Sequence, residues 1–159
     1  ACHPEDTTYF VPAFSGLGAP YWDNEAKAEI TGMTRVSGKN EVVRAALDSI
    51  AYQINDAVTL MREASGSPIE ELRVDGGPTK NDYLMQFQSD LSNIPVRIPD
   101  SEELSGIGAA YAAGLATGIF DERVFSVLKR RSYEPAMDQE VREKKISGWK
   151  DAVRRSMIH

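Results

Sequence analysis

The chain has 159 residues, of which 42% are hydrophobic and 26% are charged, and its formal net charge at pH 7 is −6. This is an ordinary globular composition, and a chain of this length can bury one sizeable core without disulfides or structural metals. The acidic balance gives no general attraction to phosphate backbones or anionic lipids, so neither nucleic acid nor a membrane is expected as a partner. The single cysteine, Cys2, cannot form an internal disulfide, which favours a reducing, cytoplasmic compartment.

No segment has the pattern of a membrane span or of a secretory signal. The longest uncharged run, Leu104 to Phe120, is shorter than the roughly 20 apolar residues that cross a bilayer as a helix. The first residues include neither an initiator methionine nor a basic region followed by an apolar run. We therefore interpret the sequence as a segment of a longer chain.

Charge is unevenly distributed along the sequence. Residues 1–121 carry a net charge of −10, whereas residues 122–159 carry a net charge of +4. We accordingly predict a core over residues 1–121 and a basic helical tail over residues 122–159 that packs on this core. The alternative interpretation of the tail is a binding surface for another molecule.

Two short strands open the chain, followed by a long helix. The strands are predicted at Tyr9–Phe14 and Ala28–Met33, close enough in sequence to form a hairpin or a meander. Over Glu41–Glu63 apolar residues recur at the spacing of one helix face, and Ser65–Pro68 ends this helix. The apolar face consists of Val43, Leu47, Ile50, Ile54, Ala57, Val58 and Met61.

Strands and helices alternate through the rest of the chain. A short strand at Glu71–Asp75 ends at two glycines, and Thr79 with Asp82 resembles a weak capping box at the start of the next helix. A strand between prolines, a helix of small residues and two closing helices follow, at residues 95–99, 106–115, 122–131 and 139–156. This order is typical of an α/β fold in which helices pack on a mixed sheet.

The residues available exclude histidine and cysteine chemistry. Both histidines, His3 and His159, lie at the ends of the chain, and Cys2 has no second cysteine to pair with. We therefore expect neither a histidine-based catalytic triad nor a zinc site, and no G-x-S-x-G nucleophile motif is present. No metal site is predicted within the chain.

The corner at Val74–Gly77 has the features of an anion site. A strand runs there through two glycines into a helix that begins near Thr79 to Asn81. Glycines let a backbone approach a phosphate closely, and the amides and dipole at a helix start favour negative charge. Asn81 can hydrogen-bond a ribose or a base edge from the first turn. A tight turn without any ligand explains the same residues, and their spacing does not decide between the two.

Several segments spread along the chain form a recognisable set. They are Phe10–Asp23, Ala28–Asp48, Ser49–Gln53, Leu72–Gly77, Leu84–Asp90, Gly108–Tyr111 and Gly148–Arg155. Together they resemble the C-terminal domain of the FGGY carbohydrate kinases over residues 9 to about 155, most of all the members that phosphorylate glycerol. The chain departs from those members at Pro78–Lys80, where they often carry small apolar residues, and at Asp48, where they often carry glutamate.

The resemblance implies a ribonuclease H-like, actin-like ATPase domain, one of two lobes that close around Mg-ATP and a polyol. The N-terminal lobe, which supplies the proton-accepting aspartate in the family, is not in this sequence, so no catalytic residue is assigned here and Asp23 is given a structural role. In the family the Val-Asp-Gly-Gly corner belongs to the adenosine motif. Carried over to this chain, Gly77 lies near the phosphates of ATP or ADP and Asn81 near the adenosine. Gly76 is a neighbouring candidate for which a turn role is the stronger expectation.

The implied reaction is transfer of the γ-phosphoryl group of Mg-ATP to a polyol hydroxyl, with the 3-hydroxyl of glycerol as the first expectation. The lobe alone is expected to fold but to lack kinase activity. One alternative is an FGGY kinase for a pentulose or another polyol, and a second is a non-catalytic interaction module. The expected partners are the nucleotide, the polyol and the N-terminal lobe, and a homo-oligomer is a further candidate.

Overall fold

The computed structural model describes residues 2–4, 6–100, 104–126 and 130–158. The strands are β1 (Tyr9–Val11), β2 (Glu29–Thr31), β3 (Leu72–Arg73), β4 (Val96–Pro99) and β5 (Arg130–Tyr133). The helices are α1 (Lys39–Ser65), α2 (Asp82–Ser92), α3 (Leu104–Ala116) and α4 (Gln139–Ser156), and short 3₁₀ turns span Gly77–Lys80 and Glu122–Ser126. Among the described residues, no helix combines the length and the apolar character needed to cross a membrane.

A mixed sheet of three strands confirms the predicted α/β class. β3 pairs in parallel with β4, and β4 pairs in antiparallel with β5, where Ile98 lies opposite Arg131. A parallel pair needs a crossover connection, and α2 supplies it between β3 and β4. β1 and β2 form a separate antiparallel pair with Phe10 opposite Ile30, as expected for the opening of the chain.

The three long helices with described caps begin and end at residues that suit helix ends. The Glu41 carboxylate accepts a hydrogen bond from the Gly38 amide at the start of α1, and Gly66 ends that helix in the left-handed region at φ 62°. The Asp138 side chain accepts from the amides of Glu140 and Val141 and so caps α4, which matches the predicted range. α2 begins at Asn81 and is considered with the site.

Aromatic side chains from three helices meet in the core. Trp149 of α4 stacks on Tyr52 of α1 with ring centroids 5.0 Å apart, and Phe87 of α2 meets the edge of Tyr52 at 5.6 Å. The Trp149 indole donates to the Asp56 carboxylate at 2.7 Å, and the Tyr21 hydroxyl donates to the same oxygen at 2.8 Å. Burial nevertheless raises the pKa of Asp56 above its usual range. α4 therefore packs on the core, while the division of the chain at residue 121 stays a prediction.

α1 presents its apolar face largely to the outside. Of the seven predicted face residues only Val58 is fully buried, while Val43, Ile50 and Met61 are 53%, 40% and 59% exposed. The side that packs against the core carries small or polar residues around Tyr52 instead. They include Ala45, Asp48, Ser49, Ala51, Asn55 and Asp56.

The prediction of a helix over residues 122–131 is wrong. The structure has a single 3₁₀ turn at Glu122–Ser126 and the strand β5 from Arg130, and residues 127–129 lie outside the described part of the chain. A short helix with few tertiary contacts is marginal in water, whereas pairing with β4 satisfies the backbone of β5. β5 thus completes the sheet from within the predicted tail.

Replacing Trp149 tests how strongly α4 is attached to the core. Trp149 is 1% exposed, so Trp149→Ala is expected to lower the free energy of unfolding by about 3–5 kcal/mol, because a large cavity forms and Asp56 loses a donor. Urea denaturation followed by circular dichroism measures the change. Ile158→Ala, at a side chain that is 76% exposed, is the control and should stay within about 0.5 kcal/mol of the parent. A loss below 1 kcal/mol for Trp149→Ala would contradict the packing role.

Candidate functional site

The glycine corner opens onto a cleft at the carboxyl end of the parallel strands. The chain leaves β3 at Arg73, passes Gly76 and enters the 3₁₀ turn Gly77–Lys80, which leads into α2. In open α/β sheets ligands bind at this end of the strands. The cleft has a volume of about 310 Å³ and is lined by Asp75, Gly76, Thr79, Lys80, Ile98, Pro99, Asp100 and Arg131.

The two glycines differ in what their positions require. Gly76 has φ 93° and ψ 177°, a conformation that residues with a side chain rarely adopt. Thr79 fixes this turn, because its amide and its hydroxyl both donate to the Gly76 carbonyl, at 3.1 and 2.7 Å. Gly77 has no such backbone constraint, is exposed, and would have open space around a Cβ atom. The geometry of the turn explains Gly76 but leaves Gly77 without a structural requirement for glycine.

Asn81 caps α2. Its side-chain oxygen accepts a hydrogen bond from the Leu84 amide at 3.1 Å, the bond expected of an N-cap residue. The capping box predicted for Thr79 and Asp82 is wrong, because the Thr79 hydroxyl turns back to Gly76. The side-chain oxygen of Asn81 is used in the cap. Its amide nitrogen is therefore the group that can donate a hydrogen bond to a ligand.

Arg131 enters the cleft from β5, and the sequence interpretation missed it. Its guanidinium donates to the Thr79 carbonyl at 3.0 Å and lies 3.4 Å from the Asp82 carboxylate. Tyr133, two residues along the same strand, donates to Asp82 as well, and this hydrogen bond raises the pKa of the Tyr133 hydroxyl. No local pattern marks Arg131, since its position depends on the pairing of β5 with β4.

The predicted residues therefore meet at one corner but contribute differently. Gly76 lines the cleft, Gly77 is its exposed neighbour, and Asn81 lies at the helix start beyond the 3₁₀ turn. Lys80 and Arg131 bring positive charge to the walls, and Asp75 and Asp100 bring negative charge. Within the described ranges, no three His, Cys, Asp or Glu side chains are grouped so as to hold a metal ion.

A larger groove of about 740 Å³ lies elsewhere, between α1 and α4. Its walls carry charges of both signs, among them Glu63, Lys150 and Arg154, and no glycine is among the described residues that line it. It has neither the glycine turn nor the helix start that favour an anion. We therefore place the candidate site at the smaller cleft.

Asp23 serves the structure of its own loop. One of its carboxylate oxygens accepts hydrogen bonds from the amides of Glu25 and Ala26, at 2.9 and 3.0 Å. This arrangement is an Asp-based turn, which is a structural role of the general kind expected for Asp23 from the sequence. The adjacent Trp22 adopts φ 52° and is 76% exposed.

Comparison with known proteins identifies the family. Residues 2–117 match the model of the C-terminal domain of the FGGY family of carbohydrate kinases. The chain belongs to the FGGY family. Among its curated relatives, the glycerol kinase of Pseudothermotoga lettingae is 51% identical over 154 residues and that of Haemophilus influenzae is 48% identical over 152 residues. Each alignment covers 94% of this chain and 30% of the relative, so the FGGY chain spans about a third of their length.

Solved structures confirm the ribonuclease H-like, actin-like fold of this FGGY domain. The crystal structure of Plasmodium falciparum glycerol kinase with ADP matches with a TM-score of 0.88 and 39% sequence identity, over 97% of this chain and 31% of that one. A gluconate kinase from Lactobacillus acidophilus matches with a TM-score of 0.71 and 22% identity, over 94% of this chain and 30% of that one. At that identity the second likeness concerns the fold alone.

Alanine substitutions at Gly76 and Gly77 test which of the two glycines the turn itself requires. Gly76→Ala is expected to lower the free energy of unfolding by about 1–3 kcal/mol, because its φ of 93° strains any residue with a Cβ atom. Gly77→Ala should remain within about 0.5 kcal/mol of the parent, since a Cβ atom there meets open space. Urea denaturation of the two variants gives both values. Equal losses at the two positions would show that the turn needs both glycines.

Proposed function

We propose that this chain is the C-terminal lobe of a longer kinase, which transfers the γ-phosphoryl group of Mg-ATP to a hydroxyl of glycerol. The observation that carries the proposal is the glycine corner and its cleft in a chain that is 51% identical to a glycerol kinase. The similar glycerol kinase whose structure was solved with ADP supports nucleotide binding by this lobe. The single thiol, Cys2, supports a cytoplasmic location.

The nucleotide site is proposed at the corner between β3 and α2. Gly77 lies next to the phosphates, where an exposed residue without a side chain permits close backbone approach. The amide nitrogen of Asn81 donates to the adenosine, while its oxygen keeps the helix cap. Gly76 shapes the turn that presents both residues. The support for Gly77 is that its conformation and surroundings give no structural reason for glycine.

Charge at the cleft suits phosphoryl transfer. Catalysis of this kind rests on positioning and on neutralising phosphate charge, and Lys80 and Arg131 provide positive groups beside the glycine turn. Mg²⁺ bound with the nucleotide would supply further positive charge at the phosphates, and Asp75 and Asp100 are the carboxylates of this cleft that could contact it. The group that accepts the proton of the polyol is proposed to come from the other lobe of the longer protein.

ADP binding by the chain tests the nucleotide site. In an NMR titration of the ¹⁵N-labelled chain, ADP is expected to shift the amides of Gly76, Gly77 and Asn81 and their neighbours. Gly77→Ala and Asn81→Ser should each weaken binding at least about tenfold while the fold is kept, because serine also caps a helix but lacks the amide donor. Gly18→Ala is the matched control, since a Cβ atom there also meets open space. Shifts elsewhere, or unchanged binding in both variants, would contradict the assignment.

Turnover by the longer kinase tests the reaction and the substrate. Glycerol is expected to be phosphorylated faster than pentuloses, gluconate or other polyols when ATP consumption is followed in a coupled assay. The chain alone should show no turnover, because a cleft formed by one lobe lacks the polyol pocket and the proton acceptor. Activity on a pentulose without activity on glycerol would favour a different FGGY kinase. No activity on any sugar or polyol would favour a non-catalytic interaction module.

A further inference from the structure

α1 carries a continuous apolar stripe on its outer side. Its members are separated by alternating steps of four and three residues, so they follow one line along the helix. We call this line the α1 stripe, and it consists of Val43, Leu47, Ile50, Ile54, Ala57 and Met61. From Val43 to Met61 it is about 27 Å long at the rise of an α-helix.

The α1 stripe is accessible, and between Arg44 and Arg62 helix α1 itself exposes no charged side chain. Four of its members are exposed, and Leu47 and Ile54 are half-buried. Between Arg44 and Arg62 the carboxylates on α1 are those of Asp48 and Asp56, and both are buried. At the amino end a groove of about 610 Å³ runs beside Val43 and Leu47. A contiguous exposed apolar stripe of this kind is a candidate contact surface.

The opposite side of α1 is already occupied. Ala51, Tyr52 and Val58 are each at most 3% exposed and lie against the core of this chain. A surface helix normally buries its apolar stripe, but α1 packs its small and polar side on the core and leaves the α1 stripe on the outside. Within the described residues α1 packs on a single layer, and the stripe faces away from it.

We infer that the α1 stripe is the docking surface for the N-terminal portion of the longer kinase, which covers it with an apolar face. The inference rests on the proposed two-lobe protein but does not depend on the nucleotide site. In the curated relatives about 70% of the length lies outside the segment that matches this chain, which is ample to supply the covering layer.

The size of the stripe favours a covalently attached occupant over a second copy of this chain. A strip about 27 Å long and about 10 Å wide offers roughly 270 Å² on each partner, well below the roughly 800 Å² of a stable interface. A segment of the same polypeptide needs much less area, because its attachment gives it a high effective concentration. The stripe therefore suits a contact within one molecule.

Thiol labelling at the stripe tests this inference. Ile50→Cys, in a Cys2→Ser background, is expected to react with a maleimide at least about tenfold faster in the isolated chain than in the longer kinase. Val141→Cys is the control, because Val141 lies on α4 with a similar exposed fraction, 46% against 40% for Ile50. It should react at comparable rates in both proteins. Peptide mass spectrometry identifies the labelled residue.

A charged substitution provides a second readout. Ile50→Glu should shift the melting temperature of the isolated chain by less than about 2 °C and lower that of the longer kinase by more than about 6 °C. Equal labelling of Ile50→Cys in both proteins would overturn the inference. Protection that rises with the concentration of the isolated chain would replace it with self-association. Kinase activity of the unsubstituted longer protein is assayed in parallel. Absence of activity would contradict the proposed function, whereas equal labelling would contradict the docking surface.

Discussion

A buried carboxylate, Asp56, joins the loop after β1, helix α1 and helix α4. It lies on α1 and accepts hydrogen bonds from Tyr21 in the loop after β1 and from Trp149 in α4. Burying a carboxylate is unfavourable, which is why the pKa of Asp56 is raised, and the two donors offset part of that cost. The stacking of Trp149 on Tyr52 fixes the indole in the position from which it donates. Loop, long helix and last helix are therefore bound to one point, and the basic end of the chain is built into the core.

Elements that are determined by residues within the same segment could be predicted from the sequence. Elements that depend on pairing with distant residues could not. α4 was predicted over its observed range because its cap and periodicity lie within the segment itself. β5 was missed because four residues of strand owe their conformation to hydrogen bonds with β4, more than thirty positions earlier. For a related reason, the sequence does not show whether the apolar face of α1 points toward the core of this chain or away from it. Periodicity shows that the face exists, but which layer covers it depends on the rest of the protein.

The candidate site shows the same division. The glycine turn and the helix start are local, so Gly76, Gly77 and Asn81 could be named from the sequence, together with the alternative of a simple turn. Their separate roles required geometry, because only φ distinguishes the constrained Gly76 from the unconstrained Gly77. Arg131 required the sheet, since it reaches Thr79 from a strand that the sequence does not reveal. Asn81 also combines a helix cap, through its side-chain oxygen, with an amide donor, and no sequence pattern separates these two uses.

A hydrogen bond between α2 and α1 connects the glycine corner to the α1 stripe. Tyr83, two residues after Asn81, lines the groove beside Val43 and donates to Asp48 of α1 at 2.6 Å. Asp48 is buried and burial raises its pKa, so this hydrogen bond lies in a poorly solvated place where such bonds are strong. The first turn of α2 is thus attached to the helix on which the second lobe is proposed to dock. The Tyr83–Asp48 hydrogen bond is therefore a direct link between the α1 stripe and the start of α2, where Asn81 lies.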